Sequence, residues 1–157
     1  MEKYIGTKLI EAEPAFRVSN EGEKPKIVTD FGEAKEYQMV DMGYRVRYAD
    51  GYESWSPADV FEEAYRPIDG MNFGLAIEAM KKGHKLLRRG WNGKGMFLYY
   101  VPEGRYPART DAAKSIAAED DKVDYGAYIA MKTVQGNVVP WLASQTDMLA
   151  EDWAVVW

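Results

Sequence analysis

Tyr44-Arg45-Val46-Arg47-Tyr48-Ala49-Asp50-Gly51-Tyr52-Glu53-Ser54-Trp55-Ser56-Pro57-Ala58-Asp59 is the stretch that decides the fold class. Tyr44, Val46 and Tyr48 alternate with Arg45 and Arg47, the period of two of a half-buried strand. Asp50-Gly51 follows at once and is expected to supply the positive φ angles of a tight hairpin turn, with Tyr52 to Trp55 returning. Ser56-Pro57-Ala58-Asp59 then opens a helix. The serine side chain accepts from exposed backbone N–H groups, proline suits the first helical position, and aspartate faces the positive end of the dipole. Val60, Phe61 and Ala64 are its expected buried stripe, and Arg66-Pro67 stops it.

Working outward from this hairpin and helix, Tyr4 to Ala12 reads as an opening strand and residues 17–30, with Gly22 and Pro25, as a polar loop. Pro67-Ile68-Asp69-Gly70 reads as a linker, after which Asn72 caps a helix with Phe73, Ala76, Ile77 and Met80 on one face. Gly83 ends it. Lys85 to Arg89 predicts a strand, Gly90 to Gly93 a turn, and Met96 to Val101 an apolar strand ended by Pro102. Residues 103–124 read as irregular, with a short helix around Ala112 to Ala118. Tyr125 to Val134 is expected as one long strand, Gly136-Asn137 as a turn, and Val138 to Trp141 as the return. Ser144-Gln145-Thr146-Asp147 has capping-box character and opens a short helix, and Trp153 to Val156 is the last strand. The expected architecture is α+β, mostly antiparallel strands with short packed helices, in two segments: a β-rich 1–69 and a second domain, 70–157.

Composition narrows the function classes. The chain has 157 residues, a formal net charge of -5 and no cysteine. Cysteine-ligated zinc and disulfides are excluded, and the cysteine usage fits a reducing cytoplasm. An acidic chain is a poor coat for DNA or an anionic membrane, and no apolar run approaches a membrane span. Charge is uneven: residues 1–70 carry 9 Lys and Arg against 15 Asp and Glu, residues 71–157 carry 11 against 10. The sequence holds 5 Trp and 11 Tyr, side chains that either fill the core and interfaces or stack on nucleobases.

Catalytic motifs are scarce. The single histidine, His84, sits beside Lys82 and Lys85 just past a helix end, where a lone histidine is usually a surface residue. Gly90-Trp91-Asn92-Gly93-Lys94-Gly95 is neither a P-loop nor a dinucleotide fingerprint, and it reads as a turn that also lets a ligand approach backbone N–H groups. Lys81, Lys82, Lys85, Arg88, Arg89 and Lys94 cluster near Trp91. On pattern alone this is either a patch for a phosphate-bearing nucleotide or a solvated strand edge protected by charge.

Two longer segments go beyond pattern. Met71-Asn72-Phe73-Gly74-Leu75-Ala76-Ile77-Glu78-Ala79-Met80 with Arg88-Arg89-Gly90-Trp91-Asn92-Gly93-Lys94-Gly95-Met96 is one, and Trp141-Leu142-Ala143-Ser144-Gln145-Thr146-Asp147-Met148-Leu149-Ala150-Glu151-Asp152-Trp153 is the other. They resemble the phage family called Thoeris anti-defence protein two, over about residues 71–157. The resemblance implies a protein without enzymatic activity or cofactor, acting in the cytoplasm of the infected host. It implies a sponge that binds a cyclic ADP-ribose isomer made by TIR-domain sensors, so that the Thoeris effector is never switched on, and a homotetramer with ligand sites near subunit interfaces. It also implies that some relatives accept cyclic oligonucleotides. By position the implied ligand-binding residues are Phe73, Trp91, Asn92, Ser144, Gln145, Thr146 and Asp147, and Arg89 joins them as a candidate phosphate-holding cation. Phe73 or Trp91 would stack on adenine, Asn92 and Asp147 would bond base or ribose edges, and Arg89 with the N–H groups at Thr146 would hold the pyrophosphate. For Trp153 core packing is expected. Tyr4-Ile5-Gly6-Thr7-Lys8 and Asp50 to Pro57 resemble a small module common in phage proteins. An enzyme that hydrolyses such a signal, and a phage protein-interaction module using its aromatics, are the competing readings.

Overall fold

The computed structural model describes residues 1–3, 6–91 and 93–157. The chain forms an α+β structure of antiparallel sheets and short helices, divided into two compact units, Met1–Arg66 and Pro67–Trp157. Pro67, Ile68 and Asp69, expected in the first segment, belong to the second unit.

The first unit runs β1 (Glu11–Ser19), β2 (Lys26–Val28), α1 (Phe31–Ala34), β3 (Met39–Arg47), β4 (Glu53–Pro57) and α2 (Ala58–Ala64), with sheet order β2-β1-β3-β4. In the register of β1 and β3, Glu11, Glu13 and Arg17 lie opposite Arg47, Arg45 and Asp41, and each couple forms a cross-strand ion pair on one face. The other face carries Phe16 and Val18, which pack with Val28, Ala34 and Tyr37. The Trp55 ring lies against the backbone at Gly43, where a Cβ would stand 2.7 Å from it and closer still to the Ser56 carbonyl.

Several local expectations are corrected here. The first strand starts at Glu11, so Gly6 to Ile10 do not belong to it; Tyr4 and Ile5 lie outside the described residues. Arg17 to Ser19 continue that strand and Lys26 to Val28 form another, so residues 17–30 are not one loop. At the hairpin Gly51 carries a positive φ of 84° and Asp50 does not. The Gly51 N–H donates to the Tyr48 carbonyl at 2.9 Å and the Tyr48 N–H to the Tyr52 carbonyl at 2.9 Å, a type I turn followed by a left-handed glycine. Ser56 does not cap α2. It pairs with Tyr44 inside β4, which runs directly into the helix with Pro57 at the cap position. Of the expected stripe, Phe61 is half-buried, stacked 4.1 Å from Tyr44 and 5.0 Å from Tyr65, whereas Val60 and Ala64 are exposed.

The second unit runs α3 (Phe73–Lys81), β5 (Lys85–Arg88), β6 (Phe97–Val101), β7 (Gly104–Pro107), α4 (Asp111–Lys114), β8 (Lys122–Tyr125), β9 (Tyr128–Lys132), β10 (Val138–Pro140), α5 (Gln145–Met148) and β11 (Trp153–Val156). Its sheet has the order β10-β9-β6-β5-β11, and β7 with β8 makes a separate ribbon. The Asn72 side chain accepts from the Leu75 N–H at 3.0 Å, so α3 starts where the cap residue dictates. Ala76 and Met80 on its inner face join Met71, Leu86, Leu98 and Trp153 in the core, each large side chain contributing about 1.5–3 kcal/mol by burial. The domain closes on itself, because Met71 and Trp153 exchange both backbone hydrogen bonds, at 2.9 and 3.1 Å, and the Val155 N–H donates to the Ile68 carbonyl at 3.0 Å. The region expected to be irregular, 103–124, holds most of the ribbon, and the long strand expected from Tyr125 is two strands parted at Gly126 and Ala127.

Candidate functional site

Arg88 ends β5 directly opposite Trp153 of β11, and it lies two residues beyond the fully buried Leu86. The period of a strand therefore turns a cation toward the core side of the sheet. A guanidinium there must be matched by acceptors, and it is. Arg88 Nε donates to Asp152 Oδ1 at 2.8 Å and Nη1 to Asp147 Oδ1 at 2.9 Å, with side-chain exposures of 18% for Arg88, 32% for Asp152 and 13% for Asp147.

Each carboxylate then reaches a second element. Asp152 Oδ2 accepts from the Gly90 N–H at 2.7 Å, fixing the turn after β5. Asp147 Oδ1 also accepts from Trp91 Nε1 at 3.3 Å, while Oδ2 accepts from the Ser144 N–H at 3.1 Å and the Ser144 hydroxyl at 2.6 Å. The Asp147 N–H returns a bond to Ser144 Oγ, which closes the capping box at the start of α5. Trp153 Nε1 donates to the Asp147 carbonyl at 3.0 Å.

The electrostatics follow from these bonds. Burial pushes the Asp147 carboxyl up, but hydrogen bonds from Ser144, Arg88 and Trp91 outweigh it and hold the group below the usual carboxylate range. Asp152 is held low first by its bond from Arg88, against a smaller opposing effect of burial. Arg88 is raised by both partners, Asp152 first. Both carboxylates are therefore ionised at neutral pH, a state suited to holding donors in place and unsuited to donating a proton.

Around this hub sit four rings. Trp91 makes edge contacts with Trp153 at 5.5 Å and Trp141 at 6.3 Å between centroids, and Phe73 lies 5.4 Å from Trp153 and 6.1 Å from Trp141. Trp153 is fully buried; Phe73, Trp91 and Trp141 are half-buried. The structure thus brings together Phe73, Trp91, Ser144 and Asp147 of the residues expected at the site. Gln145 and Thr146 stand exposed on the first turn of α5, with Thr146 Oγ1 2.8 Å from Ser144 Oγ. Arg89 pairs with Asp69 at 2.6 Å, both well exposed, apart from the Arg88 network. Asn92 lies outside the described residues. Asp147, expected to face base or ribose edges, already takes four donors from the protein, one for each lone-pair direction of a carboxylate.

Sequence reasoning placed Arg88 only in a cationic cluster suited to phosphate, whereas the structure turns it inward to two acids, and it passed over Asp152 and Trp141 as site residues. The signal was present for Arg88: Leu86 and Arg88 share a strand face, and an arginine on a core-facing position requires a buried acid. A separate groove of about 430 Å³ lies near the other end of β5, lined by His84, Lys85, Phe97, Tyr99, Tyr100 and Lys132 among others. The ammonium groups of Lys85 and Lys132 stand 5.5 and 5.9 Å from the centre of the Phe97 ring.

Fold and site together define a small antiparallel α+β domain in which one arginine ties a glycine turn and a capped helical turn beneath a cluster of aromatic rings. Residues 71–156 match the family model described as a Thoeris anti-defense 2-like domain, and the chain belongs to that family. It is similar to Thoeris anti-defense 2 of Bacillus phage SP01, 37% identical over 86 residues, which are 55% of this chain and 94% of that protein. This membership supports a phage anti-defence role.

Proposed function

We propose that the domain sequesters a cyclic ADP-ribose-type signalling nucleotide without cleaving it, and so keeps a Thoeris effector inactive in the host cytoplasm. The observation that carries this reading is the half-buried Trp91 indole, held by Asp147 beside the exposed Ser144–Thr146 turn, in a chain of this family. A rigid ring offers a nucleobase a stacking surface at little entropic cost, which is what tight sequestration needs. In this proposal Trp91 and Phe73 serve the base, and Arg89, Asn92, Gln145 and Thr146 serve ribose and phosphates. Ser144 and Asp147 hold the surface together instead of touching the ligand.

Two observations support extensions of the reading. The face of the sheet bearing Lys85, Phe97 and Lys132 also carries the exposed Tyr128 and Val138, which supports association of copies, with a homotetramer as the proposed assembly. The groove on Lys85 and Lys132 supports cyclic oligonucleotides as alternative or additional ligands, since cations beside aromatic rings match phosphates and bases.

The test is mass spectrometry on a panel of cyclic ADP-ribose isomers and cyclic oligonucleotides incubated with excess protein, before and after heat denaturation. Sequestration predicts that one compound leaves the free pool and returns unaltered on heating. A new mass instead of the returned compound would make the protein an enzyme, and no depletion across the panel would remove the proposal. Light scattering of the same preparation tests the assembly, and a monomer would remove the tetramer.

A further inference from the structure

We infer that Arg88 is a positioning residue that sets the affinity of the site through the two carboxylates, without touching the ligand. The inference rests on the proposed ligand site at Trp91. Arg88 is the one group bonded to both Asp147 and Asp152 among the described residues, and these acids hold different pieces of the surface. Asp152 fixes the backbone of the Gly90–Trp91 turn through the Gly90 N–H. Asp147 fixes the Trp91 indole through Nε1 and the start of α5 through Ser144. The turn after β5 and the turn that opens α5 are more than 50 residues apart in sequence, and the guanidinium ties them.

The chemistry requires this particular side chain. A guanidinium presents separate N–H groups in a rigid plane, so Nε and Nη1 address two acids at once from a fixed geometry. A lysine ammonium supplies the charge but not the fork. Without the cation two carboxylates facing one half-buried space repel each other, and the site relaxes by moving one of them outward. Whichever moves takes a wall of the site with it, and the contacts made through that wall are lost or must be re-formed at an entropic cost.

The experiment uses the full chain with Arg88→Met, Arg88→Lys, Arg88→Gln and, as a control paired with other acids, Arg105→Met. The first readout needs no ligand: the indole N–H resonance of Trp91 in ¹⁵N-labelled protein, assigned by its loss in Trp91→Phe. Arg88→Met is expected to shift that resonance and speed its hydrogen exchange about tenfold or more, while Arg88→Lys recovers part of the native position and Arg105→Met leaves it in place. The second readout is the dissociation constant for whichever compound of the panel the unmodified protein depletes. Arg88→Met is expected to weaken it about tenfold or more, the equivalent of one or two lost hydrogen bonds, Arg88→Lys less, and Arg105→Met not at all. Should Arg88→Met fail to fold, Arg88→Gln carries the same comparison, because it removes the charge and the fork and keeps an amide donor.

A folded Arg88→Met or Arg88→Gln protein with an unmoved Trp91 resonance overturns the inference. An affinity that falls equally in Arg88→Lys and Arg88→Met, with the resonance in its native place, also overturns it. If the unmodified protein depletes no compound, the proposed function fails, and the resonance alone decides whether Arg88 positions Trp91.

Discussion

Asp147 shows how far a single residue departs from the role its type implies. An acid at the start of a helical turn beside aromatic rings invites the expectation of a direct ligand contact. Here its oxygens take Arg88, Trp91 and Ser144, so the residue is an internal brace. A pH consequence follows. Asp147 and Asp152 both have folded pKa values below the ordinary carboxylate value of 3.8. Their contribution to stability is therefore complete above the unfolded pKa and is lost as pH falls through the folded one. Thermal unfolding followed by circular dichroism from pH 7 to pH 2.5 should show a midpoint that holds at neutral to mildly acidic pH and drops below about pH 4. In Asp147→Asn/Asp152→Asn protein the drop should be shallower from a lower plateau. Equal slopes in the two proteins would remove the brace from the account.

Elements differ in how plainly the sequence announces them, and the reason is the range of the interactions involved. The start of α3 follows from Asn72 and the start of α5 from Ser144 with Asp147, because a cap is a contact between residues three apart. The ribbon of β7 and β8 was not legible. Its four-residue strands are joined by Tyr106 against Tyr125 and by Arg105 to Asp120 and Asp124, contacts that no local pattern encodes. Strand β1 was misplaced because Pro14 interrupts its alternation. β2 pairs only Phe16 to Val18, so at Pro14 that side of β1 is an edge where a missing N–H is tolerated. At the site the same division holds: Trp91, Ser144 and Asp147 were found in motifs, while the bond of Arg88 to Asp152 spans 64 residues and belongs to the register of β5 and β11. Two predictions belong to elements. Ser144→Ala removes the cap of α5 and should cost about 0.5–2 kcal/mol in urea unfolding, with ligand affinity falling alongside; an unchanged midpoint would show that α5 does not depend on its cap. Gly43→Ala places a methyl group into the Trp55 ring and the Ser56 carbonyl, and should destabilise the first unit by about 1–3 kcal/mol or more. The native Trp55 fluorescence reports it, and a variant as stable as the parent would mean that β4 moves aside freely.

At the scale of the molecule, the family match begins at Met71, but the second unit begins at Pro67. The residues between are used: the Ile68 carbonyl takes the Val155 N–H and Asp69 pairs with Arg89. A protein of residues 67–157 should therefore fold alone and melt cooperatively. One that starts at Gly70 should melt several degrees lower, since each lost hydrogen bond is worth about 1 kcal/mol in a domain of this size. Identical melting of the two would place the boundary at Gly70. The backbone bridge between Met71 and Trp153 has a further meaning for engineering and for evolution. Because Ile68 and Met71 at the start of the domain bond the backbone of β11, its last strand, the two ends of the domain lie side by side. A circular permutant that joins the two ends with a short flexible linker and opens at the exposed Gly136 turn should keep the native fold and the site, as its spectrum of indole resonances would report. A domain with this geometry can be spliced into a host loop or take a second module at its entrance while Arg88 and its acids stay where they are.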